Sequence, residues 1–394
     1  MSLDFDSARL KNPYLTPEHE EYRSQIRRFV EREIMPFAAE WDEAGQIPDE
    51  IRIKAAEMGL LGMGYPEEYG GITEGIDLWY NNIVGEELSR TGVGGFTAAL
   101  LGFSIGLPPV SNFGSEALKQ EIIPAVVSGH KVICLGLTEP DVGSDLANLK
   151  TTAKRVTEGG REYYLVNGSK TFITGGMRSS WITTAVRTGG EGGAGVSALL
   201  IPMDLEGVSR TQLARKQGWW CSDTATIYFD NVKVPVENLL GEENQGFKVF
   251  LNNLNAERMS MIVQMEAYSR VCLEEAVNWA QQRKTFGKRL ADHQVIRHKI
   301  AEMKQRINAC QAMIIHSTRE VMEGTAKPAD IGLLKVMCSQ TMEFCAREAS
   351  QILGGACYLR DNRVERIYRE VRVQAIGGGS EEIMRDLASR EYGL

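Results

Sequence analysis

Lys131-Val-Ile-Cys-Leu-Gly-Leu-Thr-Glu-Pro-Asp-Val-Gly-Ser-Asp145 opens the stretch that decides the fold. An apolar run, Val132 to Leu137, ends in a turn of Gly, Ser and Asp, and from there to about Leu240 the chain breaks into short runs rich in Val, Ile, Thr and Tyr. Tyr163 to Val166, Trp181 to Val186, Ser197 to Ile201 and Thr224 to Phe229 read as strands, because β-branched and aromatic side chains suit a pleated, half-buried surface. Gly and Asn turns separate them with no helical pattern between, which predicts an antiparallel sandwich or barrel rather than alternating strands and helices.

On both flanks the apolar period lengthens to that of helices. Thr16-Pro17 sets a capping hydroxyl before a proline at the first helical position, and Tyr22, Ile26, Phe29, Val30 and Ile34 follow at helical spacing to about Pro36. Ile51, Ala55, Met58 and Leu61 make a second stripe before the breaker run Tyr65 to Gly71, and further helices are expected over 77–90 and about 114–128. After Gly246 come long helical stretches, Phe247 to Gln282, His293 to Met322, Ala329 to Leu353 and Ser380 to Arg390, with short connections that predict a bundle. The expected fold class is α+β: an all-α domain over 1–130, an antiparallel β-sandwich or barrel over 131–240 and a four-helix bundle over 241–394. A chain of 394 residues exceeds one core, which stops growing near about 250 to 300 residues, so several domains are required.

Composition narrows the function classes. With 43% hydrophobic and 24% charged residues the chain folds rather than staying disordered. A net charge of −8 works against a nucleic-acid partner, whose phosphates need a basic face. Seven scattered cysteines without Cys-x-x-Cys spacing indicate neither a disulfide framework nor a zinc site, and suit a reducing cytoplasm. Met1 to Leu15 lacks the basic and apolar regions of a leader, and no run of about 18 apolar residues occurs, so no membrane span is expected.

Motifs sharpen this. Gly190 to Gly195 spells G-x-G-x-x-G but precedes a strand rather than a helix, so it reads as a hairpin loop and not a dinucleotide site. The five histidines show no ligand spacing, and no G-x-S-x-G elbow exists. Three segments are more informative. Leu135 to Asp145 runs a strand into a Thr, Ser and Gly turn whose amides and hydroxyls suit a flat polar ring or a phosphate. Lys170-Thr-Phe-Ile-Thr-Gly-Gly176 sets Phe172 and Thr174 on one strand face, and Gln282-Arg-Lys-Thr-Phe-Gly287 ends a helix with a cation and an aromatic.

Together with Gln351-Ile-Leu-Gly-Gly355 and Ile376-Gly-Gly-Gly-Ser-Glu-Glu-Ile383, these segments closely resemble the acyl-CoA dehydrogenases, in the family's order and spacing and over essentially the whole chain. The resemblance implies FAD held between the β-domain and the C-terminal helices. Leu135, Leu137, Thr138, Phe172 and Thr174 are similar to residues beside the flavin ring. Arg283, Phe286, Gln294, Gln351, Gly354 and Gly355 match positions that hold pyrophosphate and adenosine, partly from a neighbouring subunit, and Ser380 and Glu382 match the last FAD-contacting stretch. Ser144 looks like the serine near pantetheine and phosphate.

Many members carry the catalytic glutamate in a Tyr-Glu-Gly-Thr stretch, and Gly377-Gly378-Gly379-Ser380 puts Gly378 at its place. Isovaleryl- and long-chain-type members share a small residue there and carry the base on a C-terminal-domain helix, in a Leu-x-x-Glu-Arg pattern. Leu254-Asn-Ala-Glu257-Arg258 supplies that pattern here, although on its own a Glu-Arg pair on a long helix is more often a solvated ion pair. The resemblance therefore implies α,β-dehydrogenation of an acyl-CoA with Glu257 as base and the Gly378 backbone N–H as a donor to the thioester. Ser144, Asn255, Arg258, Gly377, Gly378 and Gly379 are expected around the substrate. Three adjacent glycines are expected to leave a wall open for a branched, medium or long acyl chain. A homotetramer and an electron-transferring flavoprotein as acceptor follow from the same resemblance. An oxygen-using oxidase, a DNA-binding relative and a non-catalytic subunit are the other readings.

Overall fold

Eight strands make one sheet, in the order Val208–Gln212, Thr224–Pro235, Arg161–Thr174, Thr152–Glu158, Trp181–Arg187, Val196–Pro202 and Leu239–Leu240, with Ile133–Gly136 paired to Trp181–Arg187. The computed structural model describes residues 3–394, the side chains of residues 252 and 253 excepted. In chain order the helices are α1 (Pro17–Phe29), α2 (Ala38–Ala44), α3 (Asp49–Glu57), α4 (Leu78–Ser89), α5 (Gly94–Leu101), α6 (Phe103–Phe113), α7 (Glu116–Val127), α8 (Gly246–Gln282), α9 (Gln294–Glu323), α10 (Pro328–Leu353), α11 (Arg363–Ile376) and α12 (Glu381–Glu391). The strands are β1 (Ile133–Gly136), β2 (Thr152–Glu158), β3 (Arg161–Thr174), β4 (Trp181–Arg187), β5 (Val196–Pro202), β6 (Val208–Gln212), β7 (Thr224–Pro235), β8 (Leu239–Leu240) and the short pair β9 (Lys284–Thr285) and β10 (Lys288–Arg289).

The chain packs as two units. One comprises the residues up to Glu40, Asp77–Gly94 and Asn255–Leu394; the other comprises Trp41–Ile76 and Gly95–Leu254. In the second unit, one face of the sheet buries Tyr164, Val166, Ile182, Leu199, Ile227 and Val234 in a common core. The five strands read from the sequence are present, β3 and β7 being longer than their apolar centres. Strands β2 and β6 were not legible, because Thr152-Ala-Lys-Arg-Val-Thr-Glu and Val208-Ser-Arg-Thr-Gln are polar and mostly exposed. The departures from the expected antiparallel pairing are at β4, which β1 joins in parallel over four residues and β2 at Thr152 alone. The β2–β3 hairpin lies between β1 and β4 in sequence and provides the long crossover that these parallel neighbours need. Gly190–Gly195 lies in the hairpin loop joining β4 to β5, as its sequence predicts.

Helices α5 and α6 are not among the elements read from apolar spacing. Residues 94–113 are long and apolar enough to cross a membrane by length and composition, yet they form two helices on either side of Gly102. Helix α6 lies so close to β1 that a Cβ on Gly106 would meet the Cys134 backbone at 2.7 Å, so this is a core helix against the sheet.

The first unit starts with α1, whose Thr16 Oγ1 accepts the His19 N–H while the His19 ring accepts the Thr16 N–H. A π-helical turn, Val30–Ile34, carries the buried stripe on. Helices α8 to α12 follow, α11 falling between the four stretches read from the sequence. Its arginines and glutamates obscure the buried stripe Val364, Ile367 and Val371. Charge is buried here as well as apolar surface. Arg270 on α8, 1% exposed, reaches Glu266 Oε1 at 2.9 Å and Glu86 Oε2 at 3.2 Å, and Arg23 on α1 reaches the same Glu86 oxygen at 2.7 Å. Burial opposes ionisation of Glu86, but Arg23, Arg270 and Arg9 outweigh it and hold its pKa at about 2. Removing one partner from such a group strands the others in a dry interior. Arg270→Met should therefore lower unfolding free energy by about 3–5 kcal/mol in urea denaturation. Arg270→Met combined with Glu266→Gln should cost less than Arg270→Met alone, since one stranded carboxylate is gone.

Candidate active site

In the first unit, Asn255, Glu257 and Arg258 lie within about one turn of α8. Arg258 is buried and fully engaged at two of its nitrogens: Nη1 donates to Asn255 Oδ1 at 3.0 Å and Nε to the Gly378 carbonyl at 3.1 Å. The sequence placed Arg258 and Asn255 around substrate, whereas here Asn255 orients Arg258 and Arg258 holds a loop. Neighbouring residues on a helix point about 100° apart, so Glu257 is not drawn into that arrangement. Burial pushes its carboxyl above the usual carboxylate range, against the nearby cations Arg258 and Lys335. A carboxylate raised in this way is a better proton acceptor than one in water.

The loop comes from the end of α11. Gly377 N–H closes the helix on the Val373 carbonyl at 2.8 Å, then Gly378 and Gly379 take φ values of +66° and +105°. Lys335 on α10 donates from Nζ to the carbonyls of Gln374 at 3.1 Å and Gly379 at 2.9 Å. The expected open wall is absent. A Cβ on Gly378 would lie 2.9 Å from Met261 Sδ and one on Gly379 2.5 Å from Met384 Cε. The glycines serve a turn in a region that other residues enter at a cost, and methionines occupy the space beside it. Ser380 caps α12, its Oγ accepting the Ile383 N–H at 3.4 Å, and Glu382 is exposed beside it.

In the second unit, Lys170 of β3 is completely buried and donates to Glu139 Oε1 at 2.8 Å and to the Leu137 carbonyl at 3.2 Å. The Glu139 carboxylate also accepts the N–H groups of Lys150 at 2.6 Å and Thr151 at 3.0 Å. Thr171 N–H donates to the Thr138 carbonyl at 2.9 Å, and Thr138 Oγ1 donates to the Thr171 carbonyl. These bonds tie the segment after β1 to the end of β3. They also coincide with an irregular register between Lys170 and Ile173, after which Thr171 and Ile173 face inward while Phe172 and Thr174 face outward. Phe172 sits at φ +59° and is 70% exposed. Leu135, Leu137 and Thr138 are half-buried, and Ser144 is exposed beyond the tight Glu139–Val142 turn. An aromatic held outward in a strained conformation, with hydroxyls and leucines beside it, fits the flat ring of a flavin.

The remaining residues singled out in the sequence lie on exposed ends of the first unit. Phe286 and Gly287, both at positive φ, form the two-residue turn of the β9–β10 hairpin, and Phe286 is 97% exposed at its tip. Arg283 precedes that hairpin and Gln294 follows it, both exposed. Gln351 is exposed on the last turn of α10, where Gly354, at φ +61°, and Gly355 have open space around the position of a Cβ. The open space at Gly354 and Gly355 and the exposed donors of Arg283, Gln294 and Gln351 are compatible with a bound nucleotide. Lys335, Lys170, Glu139 and Gln374 were missed in the sequence. For Lys335 and Gln374 the available signal was a single cation or amide set among apolar residues in a helix.

Three family models match: the acyl-CoA dehydrogenase N-terminal domain over residues 16–130, the middle domain over 134–232 and the C-terminal domain over 244–393. Among curated proteins, an acyl-CoA dehydrogenase of Alternaria alternata is 36% identical over 97% of this chain and 93% of its own. The mitochondrial long-chain specific acyl-CoA dehydrogenase of Sus scrofa is 34% identical over 95% and 86%. The crystal structure of acyl-CoA dehydrogenase from Geobacillus kaustophilus superposes with a TM-score of 0.92 at 32% identity, over 98% of this chain and 100% of that one.

Two outcomes follow from the geometry of the loop and of the Glu257 carboxyl. Gly378→Ala should lower stability by about 1–2 kcal/mol, the cost of a side chain in the left-handed region, with more lost if Met261 does not yield. Thermal melts against a Gly→Ala control at the open Gly190 measure this; equal losses would show the turn to be tolerant. Glu257→Gln should stabilise the fold at pH 7. With the folded pKa raised, the unfolded carboxyl ionises first as pH rises, so Glu257 subtracts stability above its unfolded value near 4.5 and not below it. The gain in Tm should shrink as pH falls toward 4.5, and a gain that grows with acid would contradict the shift.

Proposed function

Since the chain belongs to the acyl-CoA dehydrogenase family and is a flavin-dependent oxidoreductase acting on CH–CH bonds, we propose that Glu257 is the base that takes the α-proton of its acyl-CoA substrate. The observation that carries this is the raised Glu257 carboxyl beside a glycine loop that has no acid of its own. Removing the α-proton places negative charge on the thioester oxygen, and a backbone donor aimed at that oxygen stabilises the charge as it forms. Gly378 N–H donates to no group among the described residues and is the proposed donor. The α-proton goes to the Glu257 carboxylate, the β-hydrogen leaves with its electron pair, and a double bond forms between Cα and Cβ.

Bound FAD supplies the acceptor for that electron pair. In our reading Leu135, Leu137, Thr138, Phe172 and Thr174 hold its ring, the Lys170–Glu139 pair keeps those segments in register, and Arg283, Phe286, Gln294, Gln351, Gly354, Gly355, Ser380 and Glu382 serve the rest. The exposure of Phe286 and Tyr358, at 97% and 93%, supports covering of these ends by other copies in a homotetramer. An electron-transferring flavoprotein is the proposed electron acceptor and the cytoplasm the proposed compartment, in keeping with seven free cysteines.

For the acyl group we propose a medium or long chain, supported by similarity to the porcine long-chain enzyme. The methionine-filled glycine loop gives branching no advantage, so chain length is the proposed determinant. Values of kcat/KM for isovaleryl-, butyryl-, octanoyl- and palmitoyl-CoA test this, and an optimum at butyryl- or isovaleryl-CoA would sink it. Glu257→Gln should retain FAD and acyl-CoA binding but slow anaerobic flavin reduction by roughly 10²–10⁴-fold, the usual worth of a positioned base. Reduction at the parental rate would remove Glu257 from the mechanism, and rapid reoxidation by oxygen after turnover would point to an oxidase.

A further inference from the structure

We propose that Lys335 is a positioning residue for the dehydrogenation: its ammonium fixes the Gly377–Gly379 loop so that the Gly378 N–H stays available to the thioester oxygen. This rests on the function proposed above.

Lys335 is 1% exposed in the middle of α10, and no carboxylate among the described residues lies within ion-pair distance of its ammonium. Burying an ammonium costs several kcal/mol, and an apolar side chain of the same length would fill the space more cheaply. What the charge does is bind backbone. The last carbonyls of a helix have no partner within it and carry its negative dipole end, so a cation is favoured there. Lys335 meets that need from a different helix, taking the Gln374 carbonyl of the last turn of α11 and the Gly379 carbonyl beyond it.

The consequence reaches Gly378. Its own carbonyl is held by Arg258, and the Gly377 N–H before it is tied to Val373. Lys335 fixes the chain on both sides of these two bonds. A glycine turn at φ +66° and +105° has many other conformations available, and three carbonyls held by two cations select one of them. In that one the Gln374, Gly378 and Gly379 carbonyls are engaged, while the Gly378 N–H has no partner among the described residues. Gln374 Oε1 and Nε2, both buried, have no partner among the described residues, so the neighbourhood retains polar capacity for something the chain does not itself supply. Lys335 also lies close enough to Glu257 to favour its ionised form, although burial prevails. Burial likewise draws the lysine's own pKa down to about 8.

The test compares the FAD-loaded parent with Lys335→Met, which keeps the stem and removes the charge, and Lys335→Gln, which keeps one donor. Hydrogen exchange by mass spectrometry over peptides spanning 374–380 reads the clamp without reference to turnover. Anaerobic flavin reduction across pH reads its effect on chemistry. Lys335→Met should exchange faster over 374–380, lose roughly 10²-fold in the limiting rate of flavin reduction, as for a misplaced oxyanion donor, with KM little changed, and show a higher apparent pKa for the base. Lys335→Gln should recover part of the rate but not the pKa, and it carries the test if Lys335→Met does not accumulate folded. Exchange equal to the parent's would overturn the clamp. Faster exchange with the rate and pH profile unchanged would overturn the positioning role. A parent that reduces no flavin with any acyl-CoA would instead overturn the proposed function, while the exchange result still decides the clamp.

Discussion

An ion taken out of water must find partners in the fold or lose its charge, and this constraint organises both units of the protein. In the first, Arg270, Arg23, Glu86 and Glu266 satisfy one another between α1, α4 and α8. In the second, Lys170 and Glu139 join the segment after β1 to β3. Each group contributes little as a pair against an apolar replacement, because desolvation consumes most of the attraction. Each nevertheless fixes which segments lie together, since losing one partner leaves the other uncompensated.

The same constraint, incompletely met, leaves one carboxyl raised, as the proposed base requires. Arg258 and Lys335 both lie near Glu257, but their hydrogen bonds go to Asn255 and to the carbonyls of Gln374, Gly378 and Gly379. The carboxyl is left with attraction at a distance and, among the described residues, no hydrogen bond to stabilise its ionised form, so burial decides the direction of its pKa. Had either cation bonded Glu257 directly, the group would be a stable anion and a poor base. Division of labour between two neighbouring residues on one helix, Arg258 toward the backbone and Glu257 away from it, follows from the 100° turn between them.

Phe172 shows a related economy in the second unit. Its left-handed backbone and its exposure are both unfavourable in isolation. They persist because Lys170 and Thr171, immediately before it, are bound to Glu139, Leu137 and Thr138, and Ile173 after it is buried. The outward aromatic is imposed by its neighbours rather than chosen by the residue.

The α, β, α texture, the helical caps and the longer strands were legible in the sequence alone because each is a local property, written in the spacing of apolar residues and in turn chemistry. Thr16 and Pro17 open α1, and the apolar run of Val196 to Ile201 is a buried strand. The polar strands β2 and β6 and the charged helix α11 were not legible, since their placement comes from neighbours that cover them and not from their own pattern. Glu257 could be singled out as a candidate through resemblance, but whether its carboxyl is raised, what Arg258 holds, why three glycines stand together and what Lys335 does are questions of distance between residues as much as 120 positions apart. A sequence records which charges a chain carries. Only the folded chain decides which of them are taken out of water, and which backbone groups they meet there.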